Sequence, residues 1–216
     1  MKKTSLITLI VSGVAALGAA GVAVGATYAL FSDSETITHH LESGGLNITL
    51  LRTSYTKTSL NDEGYLESTS DNKEVDFSKE TNENIFGLEE DEYLVPQSSY
   101  EASLRLMNGK KVNDVYEVSS VAFAYDVKLI VDENSDSELL SQLTVTVSYG
   151  DEDKVEKKMS EFGNSPIFSG VMEKTDFRAD FTIKVSFDDS EDNNEAQAKK
   201  ASFDLKVEAI QLTEKD

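Results

Sequence analysis

The chain of 216 residues contains no cysteine, no tryptophan and only two prolines. Small exported domains often depend on disulfides, so a cysteine-free domain must be stabilised by packing and backbone pairing. The same absence excludes thiol catalysis and thiolate metal sites. The composition therefore favours one packed domain without covalent cross-links.

Basic residues are also scarce. Twenty lysines and arginines face forty acidic residues, which gives a formal net charge of -20 and a pI near 4.4. This charge disfavours nucleic acid and anionic surfaces as partners and favours solubility through self-repulsion. Cations and further copies of the chain remain as plausible partners.

The amino-terminal end has the organisation of an export signal. Lys2 and Lys3 precede an uncharged apolar stretch from Ser5 to Ala26, as a charged n-region precedes an h-region. A stretch of about 20 residues could also cross a bilayer. A retained membrane anchor is therefore the alternative to a removed signal peptide.

The end of this stretch offers cleavage chemistry. Thr27-Tyr28-Ala29 places small side chains where a signal peptidase requires them, which predicts cleavage between Ala29 and Leu30. Val24-Gly25-Ala26 satisfies the same requirement and is the alternative site. We predict a signal peptide over residues 1–29 and a secreted domain over residues 30–216.

Alternating apolar and polar residues dominate the predicted domain. Such a period of two is typical of strands with one buried face. The predicted strands are 46–51, 100–106, 121–131, 143–149, 181–187 and 201–212. Without regular βαβ alternation, they predict an all-β fold, an antiparallel jelly-roll-like β-sandwich with one or two short helices after the helical signal peptide. Residues 52–96 are interpreted as a long polar surface excursion.

Two short helices are predicted. Ser137 precedes ELLSQL as an N-cap. Val155, Met159 and Phe162 follow a helical spacing of i, i+4 and i+7, which predicts an amphipathic helix from Asp151 to Gly163.

Two interruptions of the strands are predicted. Asn108-Gly109 is typical of a turn after the second strand. Ala209-Ile210 changes the alternation of the last strand, which is the pattern of a β-bulge.

No catalytic motif is present. His39 and His40 are the only histidines, and adjacent residues of an extended segment point to opposite sides. Neither HExxH for zinc nor GxSxG occurs. We interpret both histidines as solvated or weakly packed.

One acidic segment concentrates oxygen ligands that calcium prefers. The segment DDSEDNNE, residues 188–195, contains the candidate ligands Asp188, Asp189 and Asp192. It lacks the glycine and the ligand spacing of an EF-hand loop. A solvated turn between two strands is the favoured interpretation, and no cofactor is predicted.

Both ends of the chain resemble the TasA/camelysin family. ATYALFSDSE followed by LESGGLNITL resembles the export signal and first strand of that family. FTIKVSFDDSEDNNEAQAKKASFDLKVEAIQ resembles its last two strands and the acidic loop between them. Similarity in the middle is limited to SSYEASLRLMNG and ELLSQLTVTVSYG.

The resemblance implies a signal peptidase of the SipW type, export from a Gram-positive bacterium, and a jelly-roll subunit of extracellular matrix fibres. Fibres of this family point to other copies of the chain, and to an accessory matrix protein, as partners. Camelysins have been classed as metallo-endopeptidases, so zinc- or calcium-dependent proteolysis is the rival expectation. A membrane-anchored binding module is the third.

Strand addition is the predicted mode of assembly, because main-chain hydrogen bonds at an open sheet edge provide affinity and alternating side chains provide register. The predicted donor is the segment from Leu30 to Leu41, which cleavage would free. Its apolar contacts would be Leu30, Phe31, Ile37 and Leu41.

Overall fold

The computed structural model describes residues 29–40, 46–61, 63–77, 79, 83–88, 93–113, 115–119, 121–150, 153–189 and 199–212. The predicted signal peptide lies outside these ranges except for Ala29. Within them, no helix has the length and apolarity needed to cross a membrane.

The described chain is built almost entirely of strands. They are β1 Ala29–His40, β2 Ile48–Leu60, β3 Leu66–Asp71, β4 Val75–Asp76, β5 Tyr93–Leu94, β6 Ser99–Val112, β7 Val115–Val118, β8 Phe123–Val131, β9 Leu143–Tyr149, β10 Asp153–Lys158, β11 Phe168–Met172, β12 Arg178–Phe187 and β13 Lys199–Gln211. One short helix, α1, spans Ser137–Gln142, and a 3-10 turn spans Met159–Glu161.

The strands form two sheets that face each other. The first sheet has the order β11-β8-β13-β1-β5, and the second has the order β10-β9-β12-β6-β2-β3, with β4 on β2 and β7 on β6. Strand β1 runs parallel to β13, and the other pairs are antiparallel. The all-β sandwich predicted from the sequence is confirmed.

Alternating side chains fill the space between the sheets. In β13, alternate residues from Ala201 to Ala209 are buried while the residues between them are partly exposed. Phe168 of the first sheet packs edge-on against Phe181 of the second, with ring centroids 5.3 Å apart. The predicted strands that the structure confirms are those in which every second residue is apolar and faces the space between the two sheets.

The sandwich has two distinct ends. At the α1 end, α1 leads directly into β9, and β6 and β13 begin there. At the opposite end, β8 begins at Phe123, which pairs with Gln211 at the end of β13 and with Met172 at the end of β11. Strand β2 also begins there, since Ile48 pairs with Asn108.

Residues 52–96 are not one long surface excursion. Strand β2 continues to Leu60 and forms a hairpin with β3, whose side chains are mostly exposed. Arg52, Ile85 and Phe86 are fully buried. Their burial was not predicted from the sequence, because two apolar side chains and one arginine within a polar stretch show no strand or helix periodicity.

The predicted helix from Asp151 to Gly163 is wrong. Its first half is β10, in which Val155 pairs with Val147 of β9, and its second half contains the 3-10 turn that buries Met159. The helical spacing arose because an edge strand and a turn place three apolar side chains toward the core. Lysines on such an edge strand oppose pairing with other sheets.

Three smaller expectations also need correction. Asp136, not Ser137, is the N-cap of α1, and its carboxylate accepts from the backbone N–H of Glu138 at 3.0 Å. No bulge occurs at Ala209-Ile210, because β13 keeps one register along β8 and simply exposes Ile210.

The Asn108-Gly109 pair is not a turn, because β6 passes straight through it to Val112. Asn108 is buried, and its Nδ2 donates to the carbonyl of Val121 at 3.2 Å. Gly109 has a φ of 154°, and a Cβ there would lie 2.2 Å from the carbonyl oxygen of Glu117. The glycine therefore serves the close approach of β7 rather than a reversal of the chain.

Candidate functional site

The segment predicted to be a donor strand lies in the first sheet as β1. It pairs in parallel with β13 along its whole length, from Ala29 opposite Lys199 to His40 opposite Ile210. Because these two segments are far apart in sequence, their parallel pairing is a long-range contact, which can form only after the chain between them has folded back. The first and last strands of the described chain thus lie side by side.

The residues named as apolar contacts have defined register positions. Leu30 is opposite Lys200, Phe31 is opposite Ala201, and Ile37 is opposite Val207. Leu41 lies outside the described residues. The predicted cleavage bond between Ala29 and Leu30 falls at the first two positions of β1.

The far side of β1 is paired over a short distance. Ala29 is opposite Leu94 and Leu30 is opposite Tyr93 in β5. From residue 31 to residue 40, no strand of the described chain pairs with that side of β1. Among the described residues, this side of β1 therefore has no strand partner, and an unpaired strand side can accept a further strand.

Strand β13, which holds β1, is fixed on its other side by β8. Phe203, Leu205 and Val207 are completely buried or nearly so, and each has a defined partner in β8. If β1 left, β11, β8 and β13 would keep their mutual pairing. Strands β11, β8 and β13 therefore form a three-stranded platform whose mutual pairing does not involve β1.

An ion-pair cluster fixes the outer face of this platform. Lys128 of β8 and Lys206 of β13 approach Glu208 at 2.6 Å and 2.8 Å. Hydrogen bonds from Lys128 and then Lys206 lower the pKa of Glu208 to about 2. The carboxylate is therefore ionised in the folded protein over the physiological pH range.

A buried aromatic ring closes the sandwich beside the platform. Phe86 lies 6.2 Å, centroid to centroid, from both Tyr100 of the second sheet and Phe203 of the first. Phe203 is the register partner of Asp33 in β1. Sequence reasoning missed Phe86, and its only signal is an Ile-Phe pair within a polar stretch.

Phe86 is held in place by a buried charge. Arg52 donates to the carbonyl of Asn84, and its Nη2 lies 2.9 Å from Oε2 of Glu83. Its guanidinium also lies 4.8 Å from the ring centre of Tyr55. Hydrogen bonds from Lys73 and then from Arg52 hold the pKa of Glu83 below its usual value. The network ties residues 83–88 to the start of β2.

The start of β13 is tied to α1 at the other end of the site. Lys199 lies 2.9 Å from the N-cap carboxylate of Asp136 and 3.3 Å from Glu138. The hydrogen bond from Lys199 lowers the pKa of Asp136, and the same bond raises the pKa of Lys199. Lys199 thus anchors β13 at the residue where pairing with β1 begins.

The acidic candidates for calcium have protein partners. Asp188 accepts from the hydroxyl of Thr144 at 2.6 Å and forms an ion pair with Lys158. Asp189 accepts from Nε2 of Gln97 at 2.9 Å. Asp192 lies outside the described residues, within which no group of three histidines or acidic residues could hold a metal ion.

Comparison of the chain with protein-family models, curated proteins and solved structures gives no match.

Proposed function

We propose that this chain is a secreted structural subunit of extracellular matrix fibres, which assembles by donating β1 to the first sheet of a neighbouring copy. The observation that carries the proposal is the parallel pairing of β1 with β13, on a strand whose other side has no partner from residue 31 to residue 40 within the described part of the chain. Exchange of an identical element between copies preserves every contact of that element, so it carries a small free-energy cost.

The position of β1 makes such an exchange feasible. Its removal leaves the pairing of β13 with β8 and the whole second sheet unchanged. Residues 41–47 connect it to β2 of the other sheet. A strand donated by each subunit to the next would give an open, head-to-tail series rather than a closed dimer.

The sequence supplies the rest of the proposal. The export signal and the resemblance to the TasA/camelysin family support secretion, processing by a signal peptidase of the SipW type, and an accessory matrix protein as a further partner. The full chain has a formal net charge of -20, and loss of Lys2 and Lys3 with the signal peptide makes the free subunit more negative, near -22, which keeps subunits apart until assembly begins.

Deletion of residues 30–41 from the secreted domain tests the proposal. We expect the truncated domain to form no fibres under electron microscopy, and added peptide 30–41 to bind it and restore its thermal stability. Deletion of residues 213–216 is the matched control and should leave fibres unchanged. Fibres of normal number and shape from the domain without residues 30–41 would disprove strand donation.

A further inference from the structure

Exposed apolar side chains lie at the two ends of the sandwich. Three of the nine large ones in the described residues, Leu60, Tyr65 and Leu66, lie at the tip of the β2–β3 hairpin, which projects past the start of β6 at the α1 end. The other six lie at the opposite end. They are Val115, Val118, Val171, Phe177, Ile210 and Leu212, and together we call them the apolar end.

Hydrogen bonds link one part of the apolar end. Buried Asn108 accepts from the backbone N–H of Ser119 at 3.0 Å and donates its own N–H to the carbonyl of Phe177 at 3.1 Å. Through this bridge the segment that contains Phe177 lies on one side of Asn108, and the segment that contains Val118, in β7, lies on the other. Both side chains are more than two-fifths exposed.

The other part lies on the outer face of the first sheet. Val171 and Ile210 are the register partners of Ala124 on its two sides, so they flank it in one row. The backbone N–H of Leu212 donates to the carbonyl of Ala122 at 2.9 Å. Six exposed apolar side chains gathered at one end of the sandwich exceed the scattered single apolar residues that soluble proteins commonly expose, and such a grouping favours an interaction site.

Chain connectivity places this surface beside the donated strand. His40 is opposite Ile210, and Ile48 is opposite Asn108, so β1 ends and β2 begins at the apolar end. The chain makes eight residue steps from His40 to Ile48, which span at most about 27 Å. If His40 occupied its place in a neighbouring copy, the two apolar ends would have to lie within that reach.

We propose that the apolar ends of successive copies of this chain contact one another, so that the apolar end of each subunit touches that of the subunit receiving its β1 and that of the subunit donating a β1 to it. This inference rests on the proposed strand donation. It adds a second interface, which aligns the apolar ends of successive subunits along one side of the open series and reduces the exposure of their apolar side chains to water.

Other parts of the chain fit this surface less well. In the proposed function residues 1–29 are removed as a signal peptide, so the apolar residues 1–28 are not part of the assembling subunit. Residues 213–216, with the sequence TEKD, offer no apolar side chain. A second copy has the required chemistry and is brought there by its own connection to β1.

The absence of cysteine allows a direct test with single-cysteine variants of the domain starting at Leu30. Ile210→Cys places a thiol at the apolar end, and Leu66→Cys places one at the hairpin tip as the matched control. Fibres of each variant are treated with a bifunctional maleimide and analysed on a denaturing gel. We expect covalent dimers from Ile210→Cys and none above the unassembled background from Leu66→Cys.

A second pair of variants tests the energetic role. Ile210→Lys should slow assembly about tenfold, because it places a charge where the proposed contact between subunits would bury an isoleucine side chain. Leu66→Lys should leave the rate unchanged. Equal rates for the two variants, or cross-links through residue 66 instead of residue 210, would overturn the inference. Cross-linking of the Ile210→Cys variant only to an added accessory protein, and not to a second copy, would also overturn the inference.

The outcomes separate this inference from the proposed function. Suppose that deletion of residues 30–41 abolishes fibres but that fibres of the Ile210→Cys variant give no cross-links. Strand donation would then stand, and the apolar contact would be disproved. Cross-links through residue 210 that persist after that deletion would support the contact between copies and disprove strand donation as its cause.

Discussion

The ring of Phe86 packs edge-on against the ring of Phe203, with centroids 6.2 Å apart and planes inclined at 72°. Phe86 comes from the polar stretch between β4 and β5, whereas Phe203 lies in the middle of β13. The contact joins a segment with little regular structure to the strand that holds β1. It explains why a mostly polar stretch belongs to the core.

Phe86→Ala should therefore destabilise the domain by about 3–5 kcal/mol, the usual cost of removing a buried phenylalanine ring. Phe177→Ala is the matched control, because that ring is 42% exposed, and its effect should be much smaller. Urea unfolding of both variants measures the difference. Equal losses of unfolding free energy would show that Phe86 is not part of the core.

Glu83→Gln should cost about 3 kcal/mol at neutral pH, because it leaves the guanidinium of buried Arg52 without its opposite charge. Glu67→Gln, on the exposed face of β3, is the control and should change the unfolding free energy by less than about 0.5 kcal/mol. Similar values for the two variants would contradict the role assigned to the Arg52–Glu83 pair.

The same pair should make stability depend on pH. The pKa of Glu83 is lowered by its hydrogen bonds to Lys73 and Arg52, so the folded state binds the proton less tightly than the unfolded state. The contribution of Glu83 to the free energy of unfolding is complete above its ordinary pKa of 4.5, and it is lost as the pH falls through the lowered pKa of the folded state. Wild type and Glu83→Gln should therefore differ less at pH 3 than at pH 6 in urea unfolding. A constant difference would contradict this assignment.

Assembly should accelerate as repulsion between subunits decreases. Unperturbed Asp and Glu titrate near pH 4, so a chain with a formal charge of -20 becomes less negative between pH 7 and pH 5. Moderate salt should act in the same direction, since it shortens the range of repulsion to about 8 Å. Light scattering at both pH values and two salt concentrations measures the rate, with circular dichroism as a check on folding. Equal rates in all four conditions would show that charge repulsion does not limit assembly.

Export should produce a chain that begins at Leu30. Amino-terminal sequencing and intact mass of the extracellular protein measure this directly. A start at Thr27 would place cleavage after Ala26 instead. An intact Met1 would indicate a retained anchor and contradict release of β1.

Sequence periodicity was sufficient to locate several interior strands with one buried face, but it missed the short edge strand β11. The strands around Val127, Val145 and Ile183 follow their alternation because each is an interior strand of its sheet. Positions whose structure depends on pairing with another strand, even a neighbouring one, were not predictable in this way. Val155 shows this, because its edge strand forms through pairing with Val147 despite a local helical spacing.

The candidate site was predictable in part. The resemblance and the free amino end pointed to residues 30–41 as a pairing strand, and this segment does lie in a sheet for the residues described. Its parallel pairing with β13 was not predictable, because no local pattern specifies which distant strand is the partner. The buried Arg52 was missed for a similar reason, since its counter-charge Glu83 lies in a different segment.

Strand donation is tested most directly by Ser32→Cys combined with Ser202→Cys, which are opposite each other in β1 and β13. Neighbouring strands lie about 4.8 Å apart, within the range of about 4.4–6.8 Å between the Cα atoms of a disulfide. Fibres are assembled under reducing conditions, then oxidised and run on a denaturing gel without reductant. Thr182→Cys with Ser148→Cys, paired between β12 and β9, is the control and should give cross-links only within one chain. Donation of β1 predicts a covalent ladder of subunits from Ser32→Cys with Ser202→Cys, whereas fibres that release only monomers with internal cross-links would contradict it.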